Sequence, residues 1–236
     1  MPNPSIIYED ENVLVINKPA GLSVHHDDRG EPKETLVEWL VENYPEIKNV
    51  GEELRPGLVH RLDKDTSGVM ITAKNQATFE FLKQQFKNRE TKKVYRAILS
   101  GQVNLAVGEE KVLDWPIGRS ANDPRIRVAR SGGKGKLREA VTVFRLIENL
   151  GDKYAYVSAE PKTGRTHQLR AHFKAYSHPI IGDTLYNPKD NGNGAIKRQA
   201  LHAYSLTVKL PAGEHTFEAP LPADFTEALE KLKAVC

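Results

Sequence analysis

Short runs of apolar residues, alternating or clustered, punctuate most of the chain and predict strands more often than long helices. Ile6-Ile7-Tyr8 and Val13-Leu14-Val15-Ile16 flank the acidic Glu9-Asp10-Glu11-Asn12, which predicts two short strands around a turn. Val69-Met70-Ile71-Thr72 reads as a buried strand. Residues 94–99 alternate so that Tyr95, Ala97 and Leu99 share one side. Further strands are predicted near 140–148, 154–160, 201–210 and 214–219. Helical spacing interrupts them at Leu36, Val37, Leu40, Val41 and Tyr44, ending before Pro45, and at Phe79, Leu82 and Phe86. Leu169, Phe173 and Tyr176 predict a third helix that stops before His178-Pro179. Phe225, Leu229 and Leu232 predict a fourth, with Asp224 as its cap. Strands and helices do not alternate regularly, so the expected class is a mixed α/β (α+β) fold around a largely antiparallel sheet. With no internal repeat and no long linker, residues 1–236 are expected to form one domain.

Charge changes this picture through its distribution, since a net +3 is too small to identify a partner. From 119 to 138, Arg119, Arg125, Arg127, Arg130, Lys134, Lys136 and Arg138 face a single acid, Asp123. A second basic stretch holds Lys83, Lys87, Arg89, Lys92, Lys93 and Arg96. Such clusters are compensated by solvent or by a polyanion, and charge alone leaves both readings open. The one cysteine, Cys236, excludes an internal disulfide and a Cys-based metal site. The opening Met1-Pro2-Asn3-Pro4-Ser5 lacks the features of a signal peptide, and no apolar run is long enough for a bilayer. A cytoplasmic protein without a membrane partner is expected.

Three segments carry more polar groups than packing requires. Arg55-Pro56-Gly57-Leu58-Val59-His60-Arg61-Leu62-Asp63-Lys64-Asp65-Thr66-Ser67-Gly68 runs directly into the apolar residues 69–71. Polar groups at the edge of a buried strand have rigid support yet remain within reach of a ligand. Asp63 is either such a group or, with Thr66 and Ser67, a cap for turn amides. In Pro161-Lys162-Thr163-Gly164-Arg165-Thr166-His167-Gln168-Leu169-Arg170-Ala171-His172, Arg165 stands at the mouth of a helix. There it suits a phosphate or a forked pair with a carboxylate such as Asp63. His167 and His172 lie about 140° apart on a helix, a poor arrangement for one metal ion, so capping or core hydrogen bonds are expected of them. Lys92-Lys93-Val94-Tyr95-Arg96-Ala97 places one aromatic ring among cations, which suits either a stacked base or a packed sheet tyrosine. No GxSxG elbow, Walker A loop, dinucleotide fingerprint or HExxH motif occurs, and Gly132-Gly133-Lys134-Gly135-Lys136 reads as a flexible basic loop.

Together these segments resemble the RluA family of pseudouridine synthases. His60-Arg61-Leu62-Asp63-Lys64-Asp65-Thr66-Ser67-Gly68 is similar to the family's catalytic motif at nine consecutive positions. Asn17-Lys18-Pro19-Ala20-Gly21-Leu22, Lys93-Val94-Tyr95-Arg96-Ala97, the segment from Thr163 to His172, His178-Pro179-Ile180-Ile181-Gly182-Asp183 and Leu201-His202-Ala203 match in the family's order. The resemblance implies the pseudouridine synthase fold, with an RNA-binding cleft across its sheet, and an RNA partner that is ribosomal or transfer RNA. It implies Asp63 as nucleophile, with Tyr95 and Arg165 as the other catalytic residues. His60, Arg61, Thr66, His167 and Leu169 are expected at the substrate, Arg61 filling the place of a flipped base. Arg125 and Arg127 would grip the RNA backbone. No cofactor or metal is implied, a monomer is expected, and the early start of the first strand leaves no room for the S4 domain that many relatives carry.

Overall fold

The computed structural model describes residues 3–26, 34–130 and 133–234. Cys236, Gly132 and the first two residues lie outside that set. The chain runs β1 (Ser5–Glu9), β2 (Val13–Lys18), α1 (Leu36–Asn43), a 3-10 turn (Pro45–Asn49), β3 (Gly51–Glu52), β4 (Arg55–Pro56), β5 (Ser67–Ala73) and α2 (Gln76–Asn88). It continues through β6 (Lys92–Ser100), β7 (Glu110–Asp114), β8 (Ile117–Ser120), β9 (Arg127–Ala129), β10 (Gly133–Arg138), β11 (Val141–Leu150), β12 (Tyr154–Pro161) and α3 (Gln168–Ala175). It ends with β13 (Leu201–Leu210), β14 (Gly213–Glu218) and α4 (Ala223–Lys233). The class is mixed α+β, as the sequence pattern predicts. Among the described residues no helix is long and apolar enough to cross a membrane.

The chain forms two compact units, Met1–Lys92 with Ala203–Pro220, and Lys93–His202 with Leu221–Cys236. In the first, the strand order is β1-β2-β5-β13-β14. Asp10 Oδ1 accepts the N–H groups of Asn12 and Val13, which closes the acidic turn between β1 and β2. β2 and β5 pair antiparallel with Val15 opposite Ile71, and both are almost wholly buried. Gly68 begins that packing at φ +121°, and a Cβ there would stand 2.2 Å from the Ala203 carbonyl oxygen, so only glycine fits. α1 starts on a capping box between Thr35 and Glu38, and α2 on Asn75, whose side chain accepts the Thr78 N–H.

In the second unit the order is β6-β12-β11-β7, with Tyr95 opposite Ala159 and Val143 opposite Val112, again antiparallel. Ala97, Ile98 and Leu99 are all buried, so β6 is covered on both faces and its alternation does not separate inside from outside. Leu99, Phe144, Val157, Phe173, Ile180 and Phe225 share one core cluster.

Two sequence readings are corrected here. The supposed basic loop is largely strand, since Gly133–Arg138 pairs with β8 in a separate sheet of order β10-β8-β9. Its residues are charged or glycine, and Leu137 faces outward, so no apolar period reveals it. Asp224 does not cap α4, whose N-cap is Pro222 with no side-chain bond. It lies one position inside the helix and is gripped by Arg198 through Nε–Oδ2 (2.7 Å) and Nη2–Oδ1 (2.9 Å).

Candidate active site

In the first unit, residues 55–68 leave the short β3–β4 hairpin and feed β5. Gly57 adopts φ +70°, where a Cβ would meet the Ala73 carbonyl at 2.6 Å, and its carbonyl accepts the Ala73 N–H at 2.9 Å. The Thr66 N–H donates to the Asp63 carbonyl (3.1 Å), closing a turn that carries Asp63 half-buried beside buried Thr66 and Ser67. His60 Nε2 accepts the Ile71 N–H (3.1 Å), so Nδ1 carries the ring proton, and the ring stacks on Phe86. Arg61 extends to the surface and donates through Nη1 to His25 Nε2 at 3.0 Å.

The turn is clamped from below by a residue that sequence reasoning passed over. Lys18, fully buried, donates through Nζ to the carbonyls of Pro19 (2.7 Å), Leu22 (2.9 Å) and Lys64 (2.9 Å). The Gly21 N–H adds a second bond to the Lys64 carbonyl at 3.0 Å. An ammonium group has three protons, and three carbonyls meet it. The signal was present in the sequence, because Lys18 occupies the same strand parity as Leu14 and Ile16 and must point with them. A cation on that side of a buried strand needs a dedicated set of acceptors.

In the second unit, Tyr95 sits half-buried on β6 against the core cluster to which buried Leu169 belongs. Arg165 lies between β12 and α3, donating through Nε to the Glu139 carbonyl (2.9 Å) and through its N–H to Gln168 Oε1 (3.1 Å). Gln168 is the hub of a buried polar network. Its Oε1 accepts from the Thr163 hydroxyl (2.7 Å), and its Nε2 donates to the Val141 carbonyl (2.9 Å) and to Thr142 Oγ1 (3.1 Å). The Thr142 hydroxyl then donates to His172 Nδ1 (2.9 Å), whose Nε2–H donates to the Trp115 carbonyl (2.9 Å). Networks satisfied in this way fix one local arrangement, and here they fix the turn that carries Arg165.

His167 caps α3 in the left-handed region, φ +55°, and makes no side-chain capping bond. Its Nδ1 instead meets the Tyr186 hydroxyl (3.2 Å), which also accepts the Arg127 N–H (2.7 Å), so His167 and Arg127 share one partner. Tyr186 is held by the buried pair Arg170–Asp183, forked at 2.7 and 2.8 Å. Asp183 Oδ1 additionally accepts the Leu185 and Tyr186 N–H groups. Arg125 is exposed and forks onto Asp123, the one acid of its stretch. Arg130 lies with its guanidinium carbon 3.5 Å from the centre of the Trp115 ring. Among the described residues no group of three or more His, Cys, Asp or Glu side chains is placed to hold a metal ion.

Burial holds the His172 imidazole below its ordinary pKa, against a smaller opposing effect from the Trp115 carbonyl. The folded protein then binds fewer protons at this site than the unfolded chain, and stability falls as pH drops below about 6.5. Urea unfolding across pH is expected to show a loss approaching about 1.4 kcal/mol per pH unit in that window, absent from His172→Asn. Parallel curves for the two proteins would remove His172 as its source.

Residues 12–175 match the family described as RNA pseudouridylate synthase. Over 217 residues the chain is 42% identical to the ribosomal large subunit pseudouridine synthase D of Borreliella burgdorferi, covering 91% of this chain and 63% of that protein. It is 40% identical over 233 residues to an uncharacterized RNA pseudouridine synthase of Synechocystis, covering 97% of this chain and 68% of that one. It thus spans about two thirds of the length of these relatives. The solved structure of human RNA pseudouridylate synthase domain containing 1 matches with a TM-score of 0.75 at 28% identity, over 93% of this chain and 84% of that one.

Proposed function

Because the chain belongs to the RNA pseudouridylate synthase family, we propose that it isomerises specific uridines in structured ribosomal or transfer RNA to pseudouridine. The observation that carries this reading is the unbroken run of residues 60–68, folded as a half-exposed Asp63 turn on a rigid buried strand. In the proposed reaction Asp63 is the nucleophile that allows the C1′–N1 bond to break. The uracil turns and rejoins C1′ through C5, while the C5 proton leaves and N1 gains one. No electrons are exchanged and no water is consumed, so the residues alone suffice.

Tyr95 has the ring to stack on the uracil and the hydroxyl to move a proton, and Leu169 supplies apolar surface. Arg165, fixed through Nε and its backbone N–H, offers its remaining guanidinium donors to a carboxylate or phosphate. The target base must leave its stack, at a cost of a few kcal/mol. Arg61, at the surface and steadied by His25, is suited to take its place. His60, Thr66 and His167 line the same motifs, and Arg125 and Arg127 add cations for the backbone.

The test is pseudouridine formation in total RNA from cells lacking the protein, treated afterwards with purified wild type or Asp63→Ala. Carbodiimide adducts mapped by reverse transcription should give new stops with the wild type alone. RNA binding without new stops would sink the catalytic reading in favour of a binding protein.

A further inference from the structure

A cleft of about 240 Å³ opens within the first unit, and it shares His60 and Arg61 with the Asp63 segment. That volume exceeds the ~150 Å³ cavity that takes up a benzene ring. Its floor is apolar, formed by Leu58, Val59 and Phe79. Its rim is cationic, with exposed Arg55, Arg61 and Lys83 against one carboxylate, Glu52, which already stands 3.5 Å from Lys83. The floor is held rigidly. Gly51, at φ +80°, brings the β3–β4 hairpin so close to Phe79 that a Cβ would fall 2.4 Å from the ring. At the hairpin tip Leu54 is 81% exposed, an apolar side chain presented to solvent beside the cleft.

An apolar slot with a cationic rim suits a flat ring bearing an anion, the chemistry of a single nucleotide. Arg61 and Asp63 are two residues apart, so their Cα atoms stand within about 7 Å of each other. Resting on the reading that Asp63 acts on a uridine in RNA, we propose that this cleft holds the base of a nucleotide neighbouring the target, unstacked from its strand. Its phosphate lies against Arg55 and Lys83, and Leu54 wedges the gap left behind. The enzyme then reads two extruded positions, and the second contributes to its choice of site.

The test measures binding, so that it does not depend on turnover. RNA fragments that the wild type selects from total RNA are remade with one abasic nucleotide at each position in turn. At one position besides the target, loss of the base should weaken wild-type binding about tenfold. Val59→Trp, which fills the cleft from its floor, should weaken intact RNA by a similar factor and bind that abasic RNA no worse than the wild type does. An abasic profile identical in both proteins would overturn the proposal. Arg55→Ala/Lys83→Ala, both at exposed positions, provides a second arm. Its salt slope should fall by about 0.7, the loss of one neutralised single-strand phosphate, and an unchanged slope would equally overturn it. If wild type binds RNA but forms no pseudouridine, the catalytic reading fails while the abasic profile still decides the cleft.

Discussion

Asp63→Asn should bind structured RNA as the wild type does and form no pseudouridine. The substitution keeps side-chain size, and the turn around it is closed by backbone, through the Thr66 N–H and the Asp63 carbonyl. The strand beneath it is locked by Gly68 and by pairing with β2. Local geometry should therefore survive. An amide is a far weaker nucleophile than a carboxylate, and loss of a nucleophile costs about 10⁴-fold or more in rate. Single-turnover assays with Kd measured on the same RNA separate the two effects. Turnover within tenfold of wild type would remove Asp63 from the chemistry. A parallel fall in affinity and rate would make it a binding residue instead.

Lys18→Met should cause the largest loss of stability among the substitutions considered. Methionine approximates the length of the side chain but leaves the carbonyls of Pro19, Leu22 and Lys64 without their shared donor. A buried acceptor stripped of its partner costs roughly 1–3 kcal/mol. The Lys64 carbonyl keeps the Gly21 N–H, so about 3 kcal/mol is expected for the Pro19 and Leu22 carbonyls together. In a protein of this size that lowers Tm by roughly 6–12 °C. The damage is also directional. The Lys64 carbonyl belongs to the residue after Asp63, so the variant should lose activity at temperatures where its fold persists. A Tm within about 2 °C of wild type would show that Lys18 is not the clamp.

The legible part of this molecule is the part whose residues repeat with the period of their element. β2, β5, β12 and β13 bury long apolar runs, and α1 to α3 show apolar stripes ended by Pro45, Arg89 or Ser177. The sheet of β8, β9 and β10 was not legible, because charged and glycine residues obey no apolar alternation and its pairing is set by backbone register alone. Asp224 misled because a helix-starting aspartate and a salt-bridging one look alike until Arg198 is placed across 26 residues. Asp63, Tyr95 and Arg165 are singled out by motifs alone. Lys18 could have been read from its strand parity, whereas Gln168 acts through backbone carbonyls and hydroxyls that no side-chain pattern announces.

The division of the chain bears on when the support of the Asp63 turn is completed. β5, on which the Asp63 turn rests, has β13 as its neighbour, and Gly68 abuts Ala203. Residues 93–202, which belong to the other unit, are synthesised before that neighbour emerges. At roughly 5–20 residues per second the wait is on the order of 5–20 s. A nascent chain therefore carries the Asp63 turn on an unfinished sheet edge until β13 has emerged. Such an edge is open to pairing with other chains, so pausing during this interval should favour aggregation, and chaperone demand should be greatest there.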